Sequence, residues 1–396
     1  MIRWFYLFSY FVLMITIGTI YTYSIFKKHI EAIFKVNAFE SGIPFQLLLL
    51  FFSFSMILSG YLIEKIKVKK TFIVGAVLLV LSWIVSSFSK TFFFYVFSFG
   101  VLGGIGVGVL YNIAIYLSQR WIYDKKGLAI GITVSGFGLS SFLNSYVFKF
   151  LLMRYDIMKS FFYFGLFLIF IFILIYFTIK EPDENINTSD SDTNNNDLDS
   201  IEMIKRKEFK LLYFLFTTGC FSGLSTIGIT VPYAVENLNI DNIKAITFVS
   251  FFSIFNTIGR PVFGVICDKF GFSVSVLISY VSIIIFSFLL YLFPSNYFIY
   301  IISFGILWFN LGAWLSIAPV ATVNFFGKKH YPKNYGIVYT AYGLGAILGV
   351  NISGYIKVVL NNYYNFFILN AILAFFALTI FLMMTKKRGI NEYRRA

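Results

Sequence analysis

The sequence predicts an all-α membrane protein with twelve transmembrane helices in two pseudo-symmetric six-helix bundles, and three observations support this fold class. First, 59% of the 396 residues are hydrophobic and 13% are charged, whereas a soluble domain has about 25% charged residues. Second, apolar stretches long enough to cross a bilayer recur along the whole chain. Third, a short motif near the end of one span is repeated 204 residues later, which indicates an internal duplication.

Each predicted span contains the roughly 20 mostly apolar residues that a helix needs to cross the hydrocarbon core. The first span is too long for the core of a signal peptide, so we expect it to remain as helix 1. The spans are predicted over residues 4–26, 41–63, 71–89, 91–119, 127–149, 158–179, 209–236, 243–267, 272–293, 296–325, 333–357 and 363–385.

One polar segment interrupts the hydrophobic pattern. Residues 181–207 are acidic and low in complexity, a composition that cannot bury enough apolar surface to fold. We therefore predict three regions: an N-terminal bundle over 1–180, a disordered cytoplasmic linker over 181–207, and a C-terminal bundle with a basic cytoplasmic tail over 208–396.

The net charge of +14 follows the expected membrane topology. If both termini are cytoplasmic, 22 of the 32 Lys and Arg residues fall on the cytoplasmic side, which is the positive-inside asymmetry. The basic charge therefore needs no nucleic-acid partner. We expect a monomer whose partners are the bilayer and a small solute, in the plasma membrane or, as the alternative, an organellar membrane.

The repeated motif reads Gly-x-x-x-acid-Lys and follows the second and the eighth span. Its residues are Gly60, Glu64, Lys65 in the first copy and Gly264, Asp268, Lys269 in the second. Because the copies lie in equivalent loops, duplication of a six-helix unit is the simplest explanation. We interpret the charged residues of both copies as gating and orienting groups on the cytoplasmic side.

The first copy resembles the signature loop of the major facilitator superfamily, with Lys67 where that signature has a glycine. Four further segments resemble the oxalate/formate antiporter and monocarboxylate transporter group of that superfamily. These segments are residues 18–26, 120–129, 256–260 and 326–341. The resemblance implies a transporter in which two six-helix bundles surround a central cavity and exchange access by rocking.

Arg260 is the one charge predicted to lie deep in a span. It precedes the loop residue Asp268 by two helical turns, roughly 12 Å along the axis, and a charge at such depth costs about 3 kcal/mol on insertion scales. A guanidinium matches a carboxylate with a planar pair of donors, and Asn256 would lie one turn earlier on the same face. The resemblance implies that Arg260 binds the substrate carboxylate; the alternative is a structural arginine.

Two departures from the related transporters bear on the substrate. The oxalate transporter has a lysine in helix 11 where this chain has Tyr342, and a single buried cation suits a monoanion better than a dianion. The monocarboxylate transporters have an aspartate where this chain has Asn256, and a lysine in helix 1 that has no counterpart here. We therefore expect monocarboxylate exchange or uniport rather than proton symport through a side-chain relay.

Five aromatic residues could complete the binding site by offering a hydroxyl or N–H beside an apolar wall. The alternative is ordinary packing, since 21% of the chain is aromatic. The five candidates are Tyr21, Tyr111, Trp308, Trp314 and Tyr342.

Other function classes fit less well. An enzyme would need a buried catalytic constellation, and no Asp, Glu or His lies deep in any predicted span. We predict no cofactor and no metal site, and we interpret Cys220 and Cys267 as packing residues. The alternatives left open are a dicarboxylate transporter, a carrier of a neutral solute or amino acid with a structural Arg260, and a non-transporting sensor.

Overall fold

The computed structural model describes residues 2–36, 40–182 and 197–386. Within these ranges the regular secondary structure is helical throughout. Short 3-10 segments cover Gly18–Thr22 and Glu40–Gly42, and a π-helical segment covers Val96–Leu102. The α-helices are α1 (Ile2–Ile17), α2 (Tyr23–Phe34), α3 (Ile43–Ser87), α4 (Phe92–Tyr95), α5 (Gly103–Trp121), α6 (Lys126–Leu152), α7 (Ile157–Tyr176), α8 (Ser200–Lys205), α9 (Lys207–Leu238), α10 (Asn242–Leu292), α11 (Tyr297–Phe326), α12 (Tyr331–Leu360) and α13 (Tyr364–Lys386).

Side-chain caps fix three of the described helix starts. Thr91, Asp156 and Asn296 each accept a hydrogen bond from the backbone N–H three residues later. These bonds satisfy amides that have no partner inside the first helical turn. The caps at Asp156 and Asn296 open α7 and α11 where the sequence predicts that a span begins.

Ten stretches of the described residues are long and apolar enough to cross a membrane. Two of them, Glu40–Ser87 and Thr247–Leu292, have 48 and 46 residues, about twice the length that one crossing requires. Each of these is bent at one residue with non-helical backbone angles, Lys67 in α3 and Gly271 in α10. Each long helix therefore contributes two crossings, and the predicted twelve-helix fold is confirmed.

The two bends lie 204 residues apart, the same offset as the repeated motif. Gly271 has φ 78° and ψ 177°, and Lys67 has φ 65° and ψ 164°. Glycine reaches this region freely, whereas a residue with a Cβ is strained there by about 1–3 kcal/mol. The charged residues on either side of each bend are helical, because Lys and Glu favour helix. A single-residue bend is therefore found where the sequence predicted a loop.

The first predicted span continues further than expected. α1 is followed by the 3-10 segment Gly18–Thr22 and then by α2, which ends at Phe34. A Cβ on Gly18 would lie 2.7 Å from the Cβ of Ser140 on α6. The close approach of α6 therefore requires a glycine where the helix tightens.

The described residues form two compact units. The first unit comprises Met1–Asp124, Gly136–Ser200 and Lys328–Thr340; the second comprises Lys125–Ser135, Ile201–Gly327 and Ala341–Ala396. Each unit thus contains the start of one helix from the opposite half of the sequence.

The predicted domain boundaries at 180 and 208 follow the sequence repeat and remain a prediction. Residues 183–196 of the predicted linker lie outside the described residues. The end of that segment is ordered: Asp197 Oδ1 accepts from the backbone N–H of Lys328 at 2.9 Å, and Ser200–Lys205 forms α8. Polar composition alone did not predict this helix.

We expect Lys67→Gly to raise the free energy of unfolding by about 1 kcal/mol. The substitution removes strain of about 1–3 kcal/mol at an entropic cost of about 0.5–1 kcal/mol. The check is the midpoint of thermal unfolding in detergent. Lys70→Gly is the matched control, because Lys70 is exposed and helical on the same helix, and there glycine should destabilise by about 1 kcal/mol. A lower midpoint for Lys67→Gly would contradict the strain.

Candidate functional site

Arg260 lies on α10 in the second unit, and 1% of its surface is exposed. Its Nη1 donates to the carbonyl oxygen of Val134 on α6, and its Nη2 donates to Asn256 Oδ1 at 2.8 Å. Its Nε is buried and has no hydrogen-bond partner among the residues that the structure describes. Among the described residues no carboxylate pairs with Arg260. The charge is therefore surrounded by neutral acceptors.

Helices α10 and α11 hold this arginine in place. Asn256 and Arg260 are one turn apart on α10, as predicted, and the helix continues through Pro261. From α11, Ser316 Oγ donates to the Arg260 carbonyl at 2.8 Å, and the Trp308 carbonyl accepts from Asn256 Nδ2 at 3.2 Å. These bonds from α11 hold the Arg260 backbone through Ser316 and the Asn256 amide through Trp308.

Helix α6 approaches the same part of α10 very closely. A Cβ on Gly131 would lie 2.6 Å from the Arg260 carbonyl oxygen and 2.7 Å from the Pro261 Cα. Glycine at 131 therefore lets the two backbones touch one turn before Val134. This contact brings the Val134 carbonyl within reach of the arginine.

The aromatic candidates of the second unit have different surroundings. The Trp308 Nε1 donates to Thr230 Oγ1 on α9 at 3.1 Å, so its carbonyl, rather than its ring, is what reaches Asn256. Trp314 packs against Phe216 and Tyr280, with ring centroids 6.3 and 5.6 Å away, and its role in substrate binding stays a prediction.

Tyr342, on α12, is fully buried in the second unit. Among the predicted site residues of this unit, Asn256 contacts both the Arg260 side chain and the Trp308 backbone. That Tyr342 binds the substrate remains a prediction.

Tyr21 and Tyr111 belong to the first unit and share a neighbour. The Phe137 ring lies edge-on to Tyr21 at 5.0 Å and to Tyr111 at 5.3 Å. Tyr111 also contacts Phe52 at 5.1 Å and Tyr339 at 5.4 Å. These rings form an aromatic cluster on helices α3, α5, α6 and α12 and on the 3-10 segment Gly18–Thr22.

The acidic residues of the repeated motif contact the starts of other helices. Asp268 Oδ1 and Oδ2 accept from the backbone N–H groups of Gly127 and Leu128, both at 2.8 Å. These amides at the start of α6 have no intrahelical acceptor and bear partial positive charge. Glu64 Oε1 instead lies 3.2 Å from His330 Nδ1, in the turn before α12. Both contacts fit the predicted gating role without testing it.

The glycines of the motif lie at close contacts between helices, whereas its lysines are on the surface. A Cβ on Gly60 would lie 2.6 Å from the Pro332 carbonyl carbon, and one on Gly264 would lie 2.7 Å from the Gly127 carbonyl carbon. Both glycines therefore permit a helix from the opposite half of the sequence to approach. Lys65 and Lys269 are exposed.

The binding residues predicted from the sequence are charged, aromatic or next to Arg260, and they do not include Asn112. This buried amide on α5 donates to the carbonyl oxygens of Met56 at 3.0 Å and Pro332 at 2.9 Å. Ser53 Oγ similarly donates to the Tyr339 carbonyl at 3.0 Å. An amide in the middle of an apolar span is the signal that could have identified it.

Comparisons with known proteins agree with this architecture. The family model of the Major Facilitator Superfamily matches residues 5–322 and 220–394. The oxalate:formate antiporter of Oxalobacter formigenes is 25% identical over 410 residues, covering 98% of this chain and 94% of the antiporter. Monocarboxylate transporter 14 of Homo sapiens is 28% identical over 96 residues, covering 24% of this chain and 19% of that protein.

A solved structure supports the fold independently. The proton:xylose symporter XylE bound to 6-bromo-6-deoxy-D-glucose covers 97% of this chain and 96% of its own, with a TM-score of 0.74 at 14% identity. At that identity the likeness concerns the fold alone. The resemblance expected from the motifs is confirmed: the chain belongs to the Major Facilitator Superfamily and is a transporter, not an enzyme.

Proposed function

We propose that this chain transports small organic anions, chiefly monocarboxylates, by alternating access, as a secondary active or facilitative carrier in which Arg260 binds the substrate carboxylate. The supporting observation is the buried guanidinium, which has no carboxylate partner among the described residues. A buried charge without a counter-ion is costly in a low dielectric. An anionic substrate would supply the opposite charge.

The donor arrangement of Arg260 suits a carboxylate. Nε is buried and has no hydrogen-bond partner in the described part of the chain, and both Nη groups are bonded to neutral oxygens. A carboxylate can accept two parallel bonds along one edge of a guanidinium, and such bonds are about twice as strong as those to neutral acceptors. Asn256 would then orient the arginine, which is the role that its present bond to Nη2 already performs.

The relatives favour the anion class. One relative is named for oxalate and formate and another for monocarboxylates. The chain has Tyr342 in place of the second helix 11 cation of oxalate carriers, so one positive charge faces the substrate. That balance favours a singly charged anion, and with no deep carboxylate among the described spans we favour exchange or uniport over a side-chain proton relay.

One observation favours the alternative of a structural arginine. Arg260 already bonds to Val134 and Asn256, as a residue that only joins helices would. In that case the solute would be neutral or an amino acid. An oxalate-like dicarboxylate is the second alternative, and both can be tested by transport.

We propose the orientation from charge. Lys65 and Lys269 lie beside the bends of α3 and α10, and Lys125 and Lys328 lie in the connections before α6 and after α11. The positive-inside rule assigns these four places to the cytoplasm. Both termini would then be cytoplasmic. The plasma membrane is the proposed location and the monomer the proposed state.

We expect Arg260→Ala to abolish carboxylate counterflow in proteoliposomes loaded with formate, lactate or oxalate. Removing one member of a buried charge pair costs about 2–5 kcal/mol, which is at least about 30-fold in affinity. Arg260→Lys should retain only part of the activity, because an ammonium lacks the planar pair of donors.

The matched control for that experiment is Arg120→Ala. Arg120 pairs with Glu181 near the end of α5, outside the proposed site, so counterflow should persist. Wild-type formate counterflow in Arg260→Ala would reject anion binding by this residue and support the structural alternative.

We expect Tyr342→Lys to shift preference from formate toward oxalate. A second cation lets the site neutralise a dianion, so the ratio of oxalate to formate counterflow should rise about tenfold for each 1.4 kcal/mol gained. The ratio is independent of protein yield. Tyr342→Phe is the control of similar size, and an equal ratio in both variants would place Tyr342 outside the site.

A further inference from the structure

Helix α8 lies directly before the α9 span and is attached to the protein by one face. It covers Ser200–Lys205, and α9 begins two residues later at Lys207. Ser200 and Met203 are buried, with 5% and 0% of their surface exposed. This end of the predicted linker is therefore held against the protein in a defined orientation.

A second face of α8 is apolar and exposed. Ile201 and Ile204 have 66% and 43% of their surface exposed. At about 100° per residue they lie about 60° apart around the helix axis, whereas Glu202 lies about 100° or more from either. Separate apolar and polar faces on one helix are typical of a helix that lies in a membrane interface.

The length of α9 places its start at the membrane surface. Its 32 residues extend over about 48 Å at 1.5 Å per residue, and the hydrocarbon core is about 30 Å thick. The ring centroids of Phe209 and Tyr213, near the start of α9, lie 5.5 Å apart, and aromatic residues are enriched at membrane–water interfaces. Because α8 ends just before these rings, we expect Ile201 and Ile204 at the level of the lipid headgroups.

Exposed cations follow the two isoleucines at the same level. Between residues 201 and 210 four cations face two acids, and each cation near an anionic membrane surface strengthens binding by about fivefold. The apolar stems of such side chains can lie along apolar surface while their charged ends reach the headgroups. The four exposed cations are Lys205, Arg206, Lys207 and Lys210.

We propose that α8 anchors the start of the second unit to the bilayer: Ile201 and Ile204 insert among the lipids beside α9, and the cations that follow them bind anionic phospholipid headgroups. The bound lipid fixes the junction between the linker and α9. This inference is independent of the transported solute and of Arg260.

The acidic part of the linker is a second candidate to cover this face. Residues 183–196, outside the described residues, contain four acids and a single apolar residue, Ile186. Opposite charge would attract such a segment to the cations, but one apolar side chain does not cover two isoleucines. A phospholipid offers a negative headgroup and apolar chains together, so it matches both parts of the surface.

Electron paramagnetic resonance with power saturation can measure how deep this face lies in a membrane. Single spin labels would be attached through Ile201→Cys, Ile204→Cys or Glu202→Cys. Each variant would also carry Cys220→Ala and Cys267→Ala, and the full chain would be reconstituted in nanodiscs of phosphatidylcholine with phosphatidylserine. We expect oxygen, which concentrates among lipid chains, to relax the labels at Ile201 and Ile204. A water-soluble nickel chelate should relax the control label at Glu202.

The role of charge is tested with the label at Ile201. In nanodiscs of phosphatidylcholine alone, the ratio of lipid-exposed to water-exposed label should fall. With phosphatidylserine present, Lys205→Gln combined with Arg206→Gln should lower this ratio by about 25-fold, about fivefold for each charge. Lys328→Gln combined with Lys329→Gln is the matched control, because it removes two exposed cations from the turn before α12 and leaves α8 unchanged. Its ratio should equal that of the parent protein.

Three outcomes would overturn the proposal. If the label at Ile201 is as accessible to the chelate as the one at Glu202, this face of α8 lies in water. If it is shielded from both oxygen and the chelate, protein rather than lipid covers it. An equal ratio in the two lipid mixtures would contradict binding of anionic headgroups. Should the variant with two glutamines not fold, the comparison of lipid mixtures in the labelled parent protein decides.

Discussion

A positive charge kept away from water is the constraint on which the arrangement of these helices depends. Arg260 is buried, and its hydrogen-bond acceptors among the described residues are neutral oxygens. One oxygen belongs to the Asn256 side-chain amide, one turn away on the same helix, and the other is the backbone carbonyl of Val134 on α6. The packing of α6, α10 and α11 therefore serves the solvation of one guanidinium as well as the burial of apolar surface.

Close backbone contact is the second requirement, and small residues satisfy it. In a bilayer, helices associate through close packing rather than through exclusion of water. Gly60 and Gly264 stand at equivalent places in the two copies of the motif and each accepts a helix from the opposite half. Both motif glycines are thus places where residues of the two sequence halves come into contact. The acid beside each glycine reaches the start of the approaching helix, through backbone amides in one copy and a histidine in the other.

Hydropathy and the repeat were sufficient to predict the spans, and helical periodicity placed Asn256 beside Arg260. The partner of Arg260 on α6 could not be predicted, because a backbone carbonyl 126 residues away has no signature in the sequence. Trp308 and Trp314 show a similar limit: both are aromatic residues of one helix, and only tertiary packing decides that one contacts Thr230 and the other Tyr280. The charged segment of α3 was predicted to be a loop because it is polar, yet its Lys and Glu residues favour helix.

The bend at Lys67 has a consequence for how such duplicated proteins diverge. Both copies turn the chain at the same place with nearly the same backbone angles, although one copy has a lysine there and the other a glycine. The shape of the turn is therefore imposed by the helices on either side, which tolerate an unfavourable residue at their junction. At this pair of equivalent positions the backbone angles are therefore more alike than the residue types.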